Sequence, residues 1–216
     1  KENSKKYLII SSENIFDYPI TKEYIKYKEK CNFEVETETI EKIKQKYDGI
    51  DTQEKIRNFL KEIKPKKYKM YVLLLGDIDI IPIRKAYYDR NDRHNYVPTD
   101  YYYADLSGNW DKDNDNRFGE WKDDEVKYKI DAYVGRIPFN KEKDIEKILN
   151  NIIEYQSDNS QWKKNCLIAA ARLFIIGDTA LLLDNYQKDI LIPNDFKVTA
   201  LYYDSFIGKY CIDILN

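Results

Sequence analysis

The sequence predicts an α/β protein in which parallel sheets with a mixed edge are flanked by helices. Short apolar runs of strand length recur along the chain, and segments with helical periodicity lie between them. The run YVLLL at 71–75 is apolar at every position, which is typical of a parallel strand with both faces buried. Strands that alternate with helices in this way pair side by side through crossover connections.

Two strand and helix pairs precede this buried strand. Residues 7–11 form a short apolar run, and the segment after Pro19 has apolar residues at helical spacing. Residues 33–40 place a glutamate at every second position, which predicts a half-exposed edge strand. Thr52 is a candidate N-cap for a helix that ends before Pro65.

The long segment 83–129 interrupts this alternation. It is rich in charged, asparagine and aromatic residues and shows no sustained helical or strand period. Loops of this length inside compact domains are usually functional, and a bound metal is one way to stabilise them. We therefore expect a first α/β subdomain at 1–138 that carries an acidic and aromatic loop at 83–129.

The alternation restarts after this loop and predicts a second α/β subdomain at 139–216. A helix follows Pro138, and CLIAAA has the composition of a buried strand. Residues 181–190 then favour a helix, VTALYYDS a strand, and KYCIDILN the first turns of one more helix. No strand follows that helix, so we expect this subdomain to be incomplete at its C-terminal end.

Composition excludes several classes of function. The formal net charge is -2, with 36 basic and 38 acidic residues interspersed, so no basic stripe indicates a nucleic-acid partner. The longest apolar runs are far shorter than the roughly 20 residues of a membrane-spanning helix. The three cysteines lie far apart without a CxxC pair, which argues against a zinc site and against a disulfide framework.

A self-contained cysteine and histidine pair is not predicted. The chain has a single histidine, His94, in a charged segment typical of a solvated surface. Cys166 opens an apolar strand, while Cys31 and Cys211 lie at predicted helix ends or faces. None of these cysteines has the electropositive surroundings that stabilise a thiolate, so we assign no catalytic residue.

An acidic segment is the first candidate metal site. Asp111, Asp113 and Asp115 occupy alternate positions, as do the first three ligands of a calcium-binding loop. The usual glycine is absent, and Glu120 or Asp123 would have to supply the closing carboxylate. The alternative is an acidic, solvated hairpin tip, because Asp, Asn and Gly are common turn formers.

Three further aspartates follow predicted buried strands. Asp77 and Asp79 lie directly after 71–75, at the edge where open α/β sheets bind ligands. They are either turn residues or ligand-binding groups. Asp178 lies between a strand and a helix, where it can cap the helix and also line a pocket.

Four segments in this order resemble the catalytic domain of the gingipain family of cysteine peptidases: MYVLLLGDIDIIP, VPTDYYYADLSGNWD, the acidic segment and IDAYVGRIP. The resemblance continues through WKKNCLIAAA and VTALYYDS and so covers nearly the whole chain. It implies a caspase-like α/β fold, endopeptidase activity, bound calcium ions and an extracellular or cell-surface location.

The resemblance also implies where the catalytic groups lie. The family's histidine, in a His-Gly motif, and its cysteine both follow the helix that KYCIDILN would begin, so we expect them beyond Asn216. His94 and Cys211 match neither motif. This chain then supplies scaffold and part of the cleft for a peptide or protein substrate, and the remainder of the peptidase domain is its partner.

The resemblance gives the aspartates specific roles. Asp178 falls near the acid that arginine-specific members place in their primary specificity pocket. Asp77 and Asp79 become candidates for holding the long loop, by way of calcium. The alternative function is a non-catalytic, calcium-stabilised surface or binding module that recognises a partner through its tyrosine-rich segment at 96–103.

Overall fold

The computed structural model describes residues 5–66, 70–90, 93–171, 179–204 and 209–214. Close contacts group the chain into two units, Lys1–Tyr155 and Gln156–Asn216. Both units combine strands with helices, so the predicted α/β class is confirmed. Within the described ranges, no helix is both long and apolar enough to cross a lipid bilayer.

The first unit is built on a four-stranded parallel sheet. Its elements are β1 (Lys5–Ser11), α1 (Glu13–Asp17), α2 (Pro19–Lys30), β2 (Phe33–Thr39), α3 (Ile40–Lys46), α4 (Thr52–Ile63), β3 (Met70–Leu75), β4 (Arg84–Arg90), β5 (Arg93–Thr99), α5 (Tyr101–Ala104), β6 (Ala132–Ile137) and α6 (Glu142–Ser157). The strand order is β2-β1-β3-β6, which places the predicted edge strand at one edge and the apolar strand in the interior.

Side chains on the two faces of this sheet enter separate cores. Leu74 of β3 packs with apolar residues of α3 and α4, whereas Leu73 and Leu75 pack with those of α1, α2 and α6. Alternate residues of a strand point to opposite faces, so helices on both faces bury YVLLL at nearly every position. The helix α4 is capped by Asp51, whose carboxylate accepts from the N–H of Glu54 at 2.8 Å, and not by Thr52.

Helix α6 packs on the first sheet. Ile145 and Leu149 are fully buried in the same core as Leu75 and Ile137. The division between the two units accordingly falls at Tyr155 and Gln156, whereas the sequence predicted a boundary at 138–139.

The sequence predicted one long loop at 83–129, but the structure contains regular elements in the first part of this segment. Strands β4 and β5 form an antiparallel hairpin outside the main sheet, and α5 follows it directly. Residues 105–131 are then mostly irregular, with one isolated bridge between Asn109 and Glu125. The hairpin escaped prediction because charged and aromatic residues occur on both of its faces, which removes the usual polar and apolar alternation.

The second unit contains a three-stranded sheet. Its strands are β7 (Asn165–Ala171), β8 (Lys197–Asp204) and β9 (Lys209–Ile214), and α7 (Thr179–Tyr186) follows β7. β7 and β8 are parallel, and β9 is antiparallel to β8. The predicted helix in KYCIDILN is wrong: Cys211 lies in β9. The apolar residues at 210, 212 and 214 have strand periodicity, and the segment is too short to separate the two periods by sequence alone.

Candidate functional site

A largely buried arginine fixes the segment that leaves β3. Arg136 of β6 donates from Nε and Nη2 to the two carboxylate oxygens of Asp100, at 2.8 Å each. Its Nη1 donates to the carbonyl oxygens of Gly76 at 3.2 Å and Ile81 at 2.7 Å. A bidentate guanidinium–carboxylate pair holds both partners in one orientation. Arg136 therefore connects the exit of β3 to the residue that precedes α5.

The two aspartates at this edge differ in their surroundings. Asp77 accepts from the N–H of Asp79 at 2.9 Å and from the side-chain amide of Asn140, whose Oδ1 accepts from the N–H of Asp77 at 2.9 Å. Desolvation acts to raise the pKa of Asp77, but these hydrogen bonds and the nearby Arg136 outweigh it and lower that pKa. Asp79 is exposed. Asp77 orders the turn after β3, and a metal-binding role for the pair stays a prediction.

The irregular segment 105–131 has a polar core built on Asp105 and Arg57. Asp105 is fully buried, and its carboxylate accepts from the N–H groups of Gly108 and Lys127 at 2.8 and 2.9 Å and from Nε1 of Trp110 at 3.1 Å. Arg57 of α4 donates to the carbonyl oxygens of Asp105 and Gly108 at 2.6 and 2.8 Å. These contacts provide the partners that buried polar groups require.

A second arginine joins α4 to the hairpin. Arg84 of β4 donates to both carboxylate oxygens of Asp51 at 2.7 and 2.9 Å, and its side chain is only 5% exposed. The Arg84 guanidinium lies 4.4 Å from the ring centroid of Tyr102 and 3.7 Å from that of Phe118. Such stacking is favourable because the ring faces carry partial negative charge. The Arg84–Asp51 pair therefore fixes the start of β4 against the core that contains Leu74, Tyr102 and Trp110.

Two further carboxylates bind backbone N–H groups of the irregular segment. Asp131 accepts from the N–H of Ser107 at 3.0 Å and from its hydroxyl at 2.7 Å. Asp124 accepts from the N–H groups of Lys112 and Gly119 at 2.6 and 2.7 Å. Many acidic residues of this segment are therefore internal hydrogen-bond acceptors, a role that composition alone does not distinguish from metal binding.

The three aspartates of the candidate calcium site lie together. Asp111, Asp113 and Asp115 each offer a carboxylate oxygen, and these oxygens lie within 4.8 Å of one another. Asp111 is half-buried and the other two are exposed. Glu120 does not belong to this group; its carboxylate lies 3.7 Å from Arg117. The cluster can supply three oxygen ligands to a cation.

An aromatic cleft of about 580 Å³ lies between the hairpin and the segment 119–128. We use the name aromatic cleft for this space, which Tyr87, Tyr88, Trp121 and Tyr128 line together with charged residues of 120–123. This cleft is not the binding surface that the sequence predicted at 96–103. Tyr102 and Tyr103 of that segment are 2% and 0% exposed and belong to the core that contains Leu74. No motif in the sequence indicated this cleft.

The remaining predicted residues form no site within the described part of the chain. Cys31 is exposed, Cys166 is half-buried in β7, and both are free thiols. His94 lies in β5 opposite Asp89 in the strand register. Asp178, the candidate cap and pocket acid, lies outside the described residues.

The sequence did not reveal the roles of the buried Arg57 and Arg84 or of the largely buried Arg136. Arg57 lies between the apolar positions Ile56 and Phe59 of α4, and Arg136 lies in the mostly apolar run AYVGRI of β6. A charged residue at a core position requires a buried partner, so the positions of these arginines in the sequence could have indicated buried ion pairs or hydrogen bonds. Their partners are mainly backbone carbonyls and distant carboxylates, which sequence spacing cannot identify.

Comparison with known proteins gives one family and two informative structures. The model of peptidase family C25 matches residues 1–212. The complex of Porphyromonas gingivalis RgpB pro- and mature domains is similar with 16% identity and a TM-score of 0.59, covering 93% of this chain and 42% of that one. The Arg-specific cysteine proteinase gingipain R (RGPB) has 18% identity and a TM-score of 0.60, with 95% and 42% covered. No curated protein matches the sequence.

The two structural similarities concern the fold. At these identities they establish a shared architecture, and this chain spans less than half the length of the chains it matches.

Proposed function

The chain belongs to peptidase family C25, and from that membership we propose that it forms the N-terminal part of a gingipain-like cysteine endopeptidase domain. The family match over residues 1–212 is the observation that carries the proposal. The parallel sheet supports it, because Arg136 and Asp77 order the carboxyl edge of β3, where α/β proteins bind ligands. In this proposal the chain supplies scaffold and part of the substrate cleft.

The proposed reaction requires a thiolate and a histidine from residues outside 1–216. The thiolate attacks the peptide carbonyl to form an acyl-enzyme, the histidine protonates the departing amine, and water then releases the acid. The described residues offer no nucleophile and base pair of this kind: Cys166 lies in a strand of the second unit, and Cys31 directly follows α2 of the first.

Peptide cleavage tests the proposal directly. The full-length protein that contains this chain should hydrolyse a fluorogenic peptide and lose that activity on alkylation with iodoacetamide, whereas residues 1–216 alone should show no turnover. His94→Ala in the full-length protein is the matched control and should retain activity. Turnover by residues 1–216, or loss of activity in His94→Ala with unchanged thermal stability, would place the catalytic pair within this chain.

A preference for arginine in the substrate is the finer form of this proposal. One structural neighbour is described as Arg-specific, and Asp178 is the acid that the family resemblance assigns to a specificity pocket, where a carboxylate would pair with a cationic side chain. Asp178→Asn should lower kcat/KM for arginine substrates at least tenfold while leaving neutral substrates unchanged. Equal losses on both substrates would remove Asp178 from the specificity pocket. An extracellular or surface location fits the same family membership.

We also propose that Asp111, Asp113 and Asp115 bind calcium. The convergence of their carboxylate oxygens within 4.8 Å supports this, since hard oxygen donors suit calcium and mutual repulsion favours a bound cation. Glu120 and the pair Asp77 and Asp79 remain candidates for further ligands. The role of the ion in this proposal is to order the irregular segment, and it takes no part in the peptide chemistry.

Calcium titration followed by melting temperature tests this site. A ligand that binds only the folded state stabilises it by about 2.7 kcal/mol at one hundred times its dissociation constant. The melting temperature should therefore rise with calcium, and the triple change Asp111→Asn, Asp113→Asn and Asp115→Asn should abolish the rise. An unchanged melting temperature in excess calcium contradicts the proposal. The Asp79→Asn variant shows separately whether that residue contributes.

A non-catalytic binding module remains the second candidate function. The exposed aromatic cleft favours it, because solvent-exposed aromatic side chains around a concave surface are typical of recognition sites. Absence of peptide cleavage by the full-length protein, together with retained peptide binding, would favour this candidate over the peptidase.

A further inference from the structure

The aromatic cleft exposes three aromatic side chains to solvent. Trp121 is 73% exposed, Tyr128 72% and Tyr88 47%, although all three line a single concavity. Exposed apolar surface that is gathered in one place marks an interaction site, whereas single exposed residues carry no such meaning. Rigid aromatic side chains also provide contact area at a small cost in conformational entropy. The cleft is therefore suited to an occupant that lies flat against aromatic rings.

Hydrogen bonds on both sides of Trp121 fix the wall of the cleft that carries it. Before Trp121, the N–H of Gly119 donates to the carboxylate of Asp124 at 2.7 Å. After it, the N–H of Lys127 donates to the buried carboxylate of Asp105 at 2.9 Å. A wall that is already ordered loses little conformational entropy when an occupant binds, which favours affinity.

The charges at the cleft balance one another. Glu120 lines the cleft, but its carboxylate already lies 3.7 Å from the guanidinium of Arg117. The other carboxylate, that of Asp123, is offset by the ammonium of its neighbour Lys122, which also lines the cleft. A cation or an anion would meet as much repulsion as attraction here, so this balance favours a neutral occupant.

The polar groups of the cleft include both hydrogen-bond acceptors and donors. The exposed Asp123 offers carboxylate oxygens, while the exposed Lys122 and the indole of Trp121 offer N–H groups. A purely apolar occupant would remove these groups from water without giving them partners, which is costly. A proline-rich segment would supply carbonyl acceptors but few donors, because proline has no backbone N–H. Hydroxyl groups both donate and accept, so a hydroxylated occupant satisfies the two kinds together.

We propose that the aromatic cleft binds a neutral oligosaccharide. A sugar ring combines an apolar face of C–H groups with hydroxyls around its edge and carries no charge. Its C–H groups lie against the rings of Trp121 and Tyr128, whose faces carry partial negative charge. Its hydroxyls donate to Asp123 and accept from Lys122. The proposal goes beyond the peptidase reaction and does not depend on it.

An array of immobilised oligosaccharides tests the proposal with the full-length protein. Neutral oligosaccharides of hexose and N-acetylhexosamine are compared with their sialylated and sulfated counterparts. We expect saturable binding to at least one neutral oligosaccharide, without a gain in affinity from added sialic acid or sulfate, because the charges of the cleft are balanced. Binding confined to the acidic oligosaccharides, or no binding to any of them, overturns the proposal.

Variants of the full-length protein show whether the bound oligosaccharide occupies this cleft. Trp121→Ala and Tyr128→Ala should each weaken binding roughly three- to tenfold, the range expected for loss of one ring contact, and Asp123→Ala should weaken it severalfold. Trp162→Ala is the matched control and should bind as the wild type does, since Trp162 is 53% exposed in the second unit. Unchanged affinity in both Trp121→Ala and Tyr128→Ala, or an equal loss in Trp162→Ala, overturns the proposal.

Discussion

Asp105 illustrates how one side chain can order a long irregular segment. Its buried carboxylate accepts from N–H groups of the nearby residues 108 and 110 and of the more distant residue 127, and its backbone carbonyl accepts from Arg57. A carboxylate has several acceptor sites and no donor, so it suits a position surrounded by N–H groups. An asparagine of the same shape would direct an amide N–H toward at least one of those donors.

The substitution Asp105→Asn should therefore destabilise the first unit strongly. At least one donor loses its acceptor, which costs roughly 1–3 kcal/mol, and the remaining hydrogen bonds lose their charge. We expect a loss of about 2 kcal/mol or more in the free energy of unfolding, measured by urea denaturation followed by far-UV circular dichroism. Asp17→Asn, at an exposed surface ion pair, should change it by less than about 0.5 kcal/mol. Similar losses in both variants would show that the donors around Asp105 find other partners.

The surroundings of Asp131 predict how the stability of the first unit depends on pH. Desolvation acts to raise its pKa, but hydrogen bonds from Lys64 and Ser107 outweigh it and lower that pKa below the usual value. The carboxylate therefore contributes stability that is present above its unfolded-state pKa, near 4, and is lost as the pH falls through the lower, folded-state pKa.

The variant Asp131→Asn should remove this part of the acid dependence. Its free energy of unfolding should fall less steeply than that of the wild type below about pH 4, and the two curves should converge in acid. Urea denaturation at a series of pH values measures both slopes. Parallel curves for the two proteins across this range would contradict the lowered pKa.

At the scale of elements, the sequence predicted those strands and helices in which the spacing of apolar residues matches the positions that are buried in the structure. β3 and the apolar face of α4 were identifiable because local pattern and final environment agree. The sequence wrongly predicted a helix at β9, because the apolar residues in so short a segment fit both helical and strand spacing. Pairing with β8 makes the segment a strand. The candidate site was less predictable still, since the aromatic cleft depends on contacts between β4 and 119–128 that no local pattern encodes.

Helix α6 provides a test of the element assignment. Leu149 is fully buried against the first sheet, and its truncation should leave a cavity there. Leu149→Ala should cost about 2–4 kcal/mol, whereas Glu146→Ala on the exposed face should change stability by less than about 0.5 kcal/mol. The Trp110 signal, which reports on the first unit, should follow this loss. A shift seen only in a reporter at Trp162 would assign α6 to the second unit.

At the scale of the whole molecule, the first unit contains a core large enough for independent folding. The first unit buries helices on both faces of its sheet and adds the polar core around Asp105. A domain needs enough buried apolar area to offset the entropy of ordering its chain, and the first unit meets this requirement with its own side chains.

Residues 1–157 should accordingly fold as an independent unit. We expect this fragment to unfold cooperatively in urea, with Trp110 protected from solvent and with the same response to Leu149→Ala as the longer chain. If 1–157 failed to fold, the sheet and its two faces would depend on residues beyond α6.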